Sequence, residues 1–161
     1  MSFDSQLNDF LKGYEKLIVL GVGNVLKCDD GVGPFIINRL KEENIENEDR
    51  LLFINAETVP ENFTGKIRKE NPSHIIIVDA CLMDGQPGDI EIVDEHDFAN
   101  IGISTHSMSL SFFVRYLEKD NDFKIIFVGI EPESMDYSDN LTENVEKAAC
   151  GFIETLKGII L

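Results

Sequence analysis

The chain has 161 residues, 30 of them acidic and 14 basic, for a formal net charge of −16 with an ordinary apolar fraction of 43%. That length suits a single domain over residues 1–161 with a core of useful size. The charge argues against nucleic acid or an anionic membrane surface as partner, and no stretch is long and uncharged enough to insert in a membrane.

Phe3, Leu7, Phe10, Leu11 and Tyr14 fall on one helical face, so residues 1–15 read as an amphipathic helix packed on the body. Leu17 to Val22 is a short, β-branched apolar run that reads as a buried strand. Glycines then allow a sharp turn, and a helix is expected from Gly31 to Asn44, with Phe35, Ile36, Ile37 and Leu40 apolar. After the polar connection Asn44 to Arg50 come a strand from Leu51 to Ala56 and a helix from Pro60 to Glu70, with Pro in its first turn. Ile75 to Val78 is dense in β-branched residues and should be the centre of the sheet. Gln86-Pro87-Gly88 is a turn. Asp89 to Val93 alternates polar and apolar residues as an edge strand does, and the short connection before it predicts an antiparallel direction. Ser104 or Thr105 caps a helix running to about Glu118, Lys124 to Val128 is another buried strand, and Leu141, Val145, Ala148, Ala149, Phe152 and Leu156 mark a closing helix. Strands alternating with helices predict an α/β fold: a three-layer α/β/α sandwich around a twisted, mostly parallel five-stranded sheet with one antiparallel strand.

The first strand-to-helix connection carries Asp29 and Asp30, flanked on both sides by glycines. In open α/β sheets ligands gather outside the carboxyl ends of the strands, so an acidic pair there points to a cation or to acid/base chemistry. One of the two could instead serve as a helix N-cap. Phosphate binding fits poorly: Gly21-Val22-Gly23 begins like a dinucleotide fingerprint, but Leu26 takes the third glycine position, and no Gly-Lys-Ser/Thr follows. Asp79 closes the central strand at the rim of the same crevice. His106 lies at the start of the helix after Ile103-Ser104-Thr105, on the same side, whereas His74 and His96 are not sited for chemistry. Two carboxylates and an imidazole on three converging loops can hold a divalent metal with positions left open, or the two carboxylates can share a proton as an acid/base couple. Both chemistries stay open at this level. The widely spaced Cys28, Cys81 and Cys150 read as reduced thiols, Cys28 and Cys81 as small apolar fillers beside the acidic groups. With no basic-then-apolar leader, they predict a cytoplasmic protein.

Four segments in order, Gly21-Val22-Gly23-Asn24 through Asp29-Asp30-Gly31-Val32-Gly33-Pro34, Ile77-Val78-Asp79-Ala80, Thr105-His106-Ser107-Met108-Ser109-Leu110 and Gly129-Ile130-Glu131-Pro132, resemble the motifs of the hydrogenase maturation endopeptidases. The likeness extends from about Leu17 to Leu161 and is closest to the branch that processes the large subunit of hydrogenase 3 and related energy-converting enzymes. It implies an endopeptidase that removes the C-terminal peptide of a nickel–iron hydrogenase large-subunit precursor after nickel insertion. Asp30, Asp79 and His106 would contact the metal, with Asp30 and Asp79 as the acid/base pair. The resemblance further implies nickel supplied by the substrate, with zinc or cadmium able to take the site in vitro, and a monomer whose partner is the nickel-loaded precursor. Two departures stand out: Cys28 where that family usually has glycine, and the N-terminal helix ahead of the first motif. Rival functions are a non-catalytic nickel-binding checkpoint protein on the same scaffold and a metal-dependent phosphohydrolase, the latter disfavoured because Lys27 is the only basic residue near the motifs.

Overall fold

Leu17–Val22 forms β1, a strand buried at every position, as its unbroken apolar run requires. It sits inside a five-stranded sheet between β2 (Leu51–Glu57) and β3 (His74–Ala80), parallel to both. Next to β3 runs β5 (Lys124–Ile130), also parallel, and β4 (Ile90–Asp94) pairs antiparallel with β5 at the edge. The order is therefore β2-β1-β3-β5-β4. The computed structural model describes residues 1–94, 113–117 and 122–161.

The helices are α1 (Phe3–Leu11), α2 (Val32–Glu42), α3 (Thr64–Glu70) and α4 (Glu143–Ile160), with residues 113–117 also helical. Successive residues of a strand face opposite ways, and β3 divides accordingly. Ile76, Val78 and Ala80 join Leu7 of α1, Ile36, Ile37 and Leu40 of α2, and Phe152 and Leu156 of α4 in one core. Ile75, Ile77 and the following Cys81 join Ile67 of α3 with Phe113, Val114 and Leu117 in the other. This is the expected three-layer arrangement, with four parallel strands and one antiparallel.

Two details differ from the sequence reading. The edge strand has the expected direction but a different partner: β5 occupies the place beside β3, so the residues after β3 pass across the end of β5 and β4 pairs beyond it. The helix expected from Gly31 begins one residue later, at Val32, after the 3₁₀ turn Cys28–Gly31, and the helix expected from Pro60 begins about one turn later, at Thr64, after the 3₁₀ turn Pro60–Phe63. Most of the helix expected from Ser104 or Thr105 to Glu118 lies outside the described residues.

Backbone contact without side chains between sets the entry of α2. A Cβ on Gly33 would lie 2.4 Å from the Val22 carbonyl oxygen and 2.7 Å from that of Val78. On Gly23 it would lie 1.9 Å from the Asp30 carbonyl oxygen. Only glycine lets the first turn of α2 rest directly on the ends of β1 and β3, and this holds the Asp29-Asp30 turn against the sheet.

At the opposite end of the sheet, His74 is buried under two rings of the N-terminal segment. Phe10 packs edge-on at 5.0 Å and Tyr14 at 6.4 Å between centroids, while Ser73 Oγ lies 2.8 Å from Nδ1. Burial pushes the imidazole below its ordinary value of 6.5 and the Lys124 charge adds to the push, against a weaker opposing contact with the Phe10 backbone. The unfolded chain therefore takes up a proton that the folded chain refuses. The resulting stability is complete above about pH 6.5 and is lost as pH falls through the lower folded value. Melting curves should show wild type losing more stability between pH 7 and pH 5 than His74→Leu does. Parallel curves would contradict this.

Candidate active site

Five polar or charged residues are buried among the described residues: Asp29, Asp30, His74, Asp79 and Glu131. Four are acidic, and all four lie at the carboxyl ends of β1, β3 and β5. Burying acids together is costly unless each is served by hydrogen-bond donors, so their partners define the site.

Asp30 sits in the 3₁₀ turn between β1 and α2. The turn closes on it: Gly23 donates its N–H to the Glu57 carbonyl at 2.7 Å, Asn24 donates its N–H to Asp30 Oδ2 at 3.0 Å, and Leu26 donates to Asn24 Oδ1 at 2.9 Å. Neither Asp30 nor Asp29 caps a helix, since α2 is preceded by Gly31 with no side-chain cap. The capping alternative for the acidic pair is thereby removed.

Asp79 is fully buried on β3 and accepts the N–H of Ala80 at 2.8 Å through Oδ1. The parallel register places Gly21 opposite Val78, so Asp79 stands level with Val22, the last residue of β1. The 3₁₀ turn bearing Asp30 packs against β3. Asp30 and Asp79 thus share one end of the sheet on neighbouring strands, and neither carboxyl lacks a partner. His106, and with it the third corner of the expected site, lies outside the described residues, as does His96. Among the described residues no three His, Cys, Asp or Glu side chains form a group able to hold a metal. What the described site offers is a pair of buried carboxyls at one end of the sheet, a set that suits either proton transfer or two ligands of a divalent ion.

The other two acids act on the loops. Asp29 is fully buried and collects four donors. Glu133 and Ser134 give their N–H groups to Oδ2 at 2.9 and 3.0 Å, Thr142 gives its N–H to Oδ1 at 2.8 Å, and its hydroxyl goes to Oδ2 at 2.7 Å. The Asp29 N–H in turn donates to the Ser134 carbonyl at 3.1 Å. This one side chain fastens the whole connection from β5 to α4 onto the first motif. Glu131 does the same for the loop after β3, taking the N–H groups of Met83 at 2.8 Å and Gly85 at 3.0 Å on Oε1. Sequence reasoning gave neither residue this role. The available signal was a carboxylate beside Asp30 that the proposed chemistry did not need.

Cys28 and Cys81 are both buried. Cys81 is buried, and its thiol is pushed up to about 12, first by burial and then by the negative charges of Asp79, Glu131 and Glu91. Cys28 is buried with a left-handed backbone, φ 51°, and donates its N–H to Ser138 at 2.8 Å. Glycine takes that backbone conformation freely, which explains the glycine usual at this position in the family the sequence resembles.

Comparison with known proteins bears on the family and the fold. The family model HycI, hydrogenase maturation protease, matches residues 34–158. A putative hydrogenase maturation protease of Methanocaldococcus jannaschii is 38% identical over 159 residues, covering 96% of this chain and 94% of the relative. The hydrogenase 3 maturation protease of Escherichia coli K12 is 31% identical over 142 residues, with 88% of each chain covered. The crystal structure of a nickel–iron hydrogenase maturation protease HycI from Thermococcus kodakarensis superposes with a TM-score of 0.86 at 27% identity, over 96% of this chain and 98% of that one.

Replacing Asp29 with Asn puts an amide N–H₂ among four donors and leaves at least one of them buried and unpaired, a loss of about 1–3 kcal/mol for each unpaired group. Chemical denaturation of Asp29→Asn should show a destabilisation of that size. A change within about 0.5 kcal/mol, ordinary for surface substitutions, would contradict the fastening role.

Proposed function

This chain belongs to the hydrogenase maturation protease family, and from that premise we propose that it removes the C-terminal peptide of a nickel–iron hydrogenase large-subunit precursor once nickel is in place. The observation that carries the proposal is the pair of buried carboxyls, Asp30 in the turn after β1 and Asp79 near the end of β3, at the carboxyl edge of one sheet. Asp30, Asp79 and His106 are the groups that contact the precursor's nickel. The metal is cargo brought by the substrate, and zinc or cadmium can replace it in vitro because carboxylate and imidazole ligands do not discriminate strongly.

Docking through the nickel would set the scissile bond beside the two carboxyls. One carboxylate takes a proton from a water as it attacks the carbonyl carbon. The carbonyl is polarised by the metal or by the partner carboxyl in its protonated form, and the proton returns to the leaving nitrogen. A precursor without nickel lacks the group that aligns it, so the same contacts serve as a check on metal insertion. The protein is proposed to act as a monomer in the cytoplasm, where its free cysteines, Cys28, Cys81 and Cys150, stay reduced. No described helix is long and apolar enough to cross a membrane.

Asn is nearly the shape of Asp but exchanges no proton at neutral pH. Asp30→Asn and Asp79→Asn should each fold and yet process a nickel-loaded precursor about a hundredfold to ten-thousandfold more slowly, the range for loss of a positioned acid/base group. Mass spectrometry of the precursor reads the outcome, and cleavage at near wild-type rate by Asp30→Asn would withdraw the catalytic assignment. Nickel and precursor binding by wild type without any cleavage would favour the checkpoint reading. In a separate measurement, His106→Ala should weaken nickel or zinc binding in calorimetry while leaving the melting temperature unchanged. Binding to the wild type should fade on acidification, as ligands must shed protons to bind metal. Equal affinity in the two proteins would remove His106 from the site.

A further inference from the structure

Seven large apolar side chains are exposed among the described residues. Met1 and Leu161 are the chain ends, and the Tyr116 ring is covered by the Arg68 guanidinium at 4.0 Å. The remaining four are Val25 (47% exposed), Leu26 (61%), Leu82 (49%) and Tyr137 (85%). All four stand on the loops that leave the carboxyl ends of β1, β3 and β5, around Asp30 and Asp79. Scattered apolar residues on a surface need no explanation; four on the loops at one end of the sheet make that end a candidate interaction surface.

The rim is preformed. Ser138 donates its N–H to the Leu26 carbonyl at 3.0 Å, Cys28 donates to the Ser138 carbonyl at 2.8 Å, and the Lys27 ammonium lies 5.9 Å from the Tyr137 ring centroid. Leu82 is held from both sides, by the Cys81 N–H on the Ile130 carbonyl at 2.9 Å and by the Met83 N–H on Glu131. Little ordering is left to be done on binding, which favours affinity.

Apart from Lys27, the exposed charges around the rim are acidic. Glu57, Asp84, Glu133, Asp136 and Asp139 are exposed around the rim. The chain has no Lys or Arg from Asn71 to Val114 or from Ile125 to Glu146, which leaves Lys27 as the cation of the first loop. Such a field attracts basic partners and repels acidic ones.

We propose that Val25, Leu26, Leu82 and Tyr137 dock a segment of the protein substrate in which apolar side chains are flanked by Lys or Arg. The proposal rests on the endopeptidase reading above, with this surface selecting the polypeptide while the carboxyls act on its peptide bond. Apolar contact provides the anchor, and the acidic collar speeds encounter with a basic segment.

The test is steady-state processing of the cell's own nickel-loaded large-subunit precursor by wild type and by the double variant Leu26→Ser, Tyr137→Ser, with melting temperature as the check on folding. The variant should raise KM at least tenfold and leave kcat within twofold, and raising salt from 50 to 500 mM should raise KM for the wild type. Charge reversal, Asp136→Lys with Asp139→Lys, should raise KM at low salt and lessen the salt dependence. Unchanged KM in the folded double variant, or a fall in kcat alone, would overturn the docking surface and leave the endopeptidase reading standing. Failure of the wild type to bind or cut the precursor would overturn both.

Discussion

The site depends on one buried carboxylate that takes no part in the proposed chemistry. Asp29 gathers three backbone N–H groups and a hydroxyl from residues 104 to 113 positions further along the chain, joining the turn after β1 to the connection between β5 and α4. Bonds to a charged acceptor are the stronger kind, and inside a protein they are costly to break. Because Asp29 and Asp30 are consecutive, fixing the first helps to fix the second, alongside the bond that Asp30 itself accepts from the Asn24 N–H.

Glycine and acid work together at this end of the sheet. Gly23 and Gly33 bring α2 onto the strand ends with no side chain between, so the Asp30 turn lies against β3 where Asp79 is. Glu131 then anchors the loop after β3. Backbone N–H groups and the Thr142 hydroxyl, rather than lysine or arginine, serve Asp29 and Glu131. Acidic surroundings of this kind fit the proposed substrate, a protein that carries a metal ion and a basic segment. On the proposed reading the apolar rim would address the polypeptide and the neighbouring carboxyls its nickel.

The sequence was most legible where a single period or run dominated. The unbroken apolar segments at Leu17–Val22 and Ile75–Val78 became the buried central strands, and the alternation read at Asp89 to Val93 became the edge strand Ile90–Asp94. The pairing of that edge strand could not be read locally, because β5 arrives thirty residues later in the chain and takes the place beside β3. The placement of Asp30 and Asp79 at one sheet end followed from the strand-to-helix pattern. The division of labour between Asp29 and Asp30 did not: two adjacent identical residues differ only in which way the 3₁₀ turn aims them, and the donors Asp29 meets come from a distant loop. For the same reason Glu131 went unassigned beyond its motif, and the exposed rim of Leu26, Leu82 and Tyr137 carried no periodic signal.

The account's central claim is that this chain is an endopeptidase that senses nickel in its substrate. It is tested most directly by incubating the wild-type protein with the same large-subunit precursor in nickel-loaded and nickel-free form and following the precursor's mass. The account predicts loss of a single C-terminal peptide from the loaded precursor and none from the empty one. Equal cleavage of both, or cleavage of neither, would contradict it.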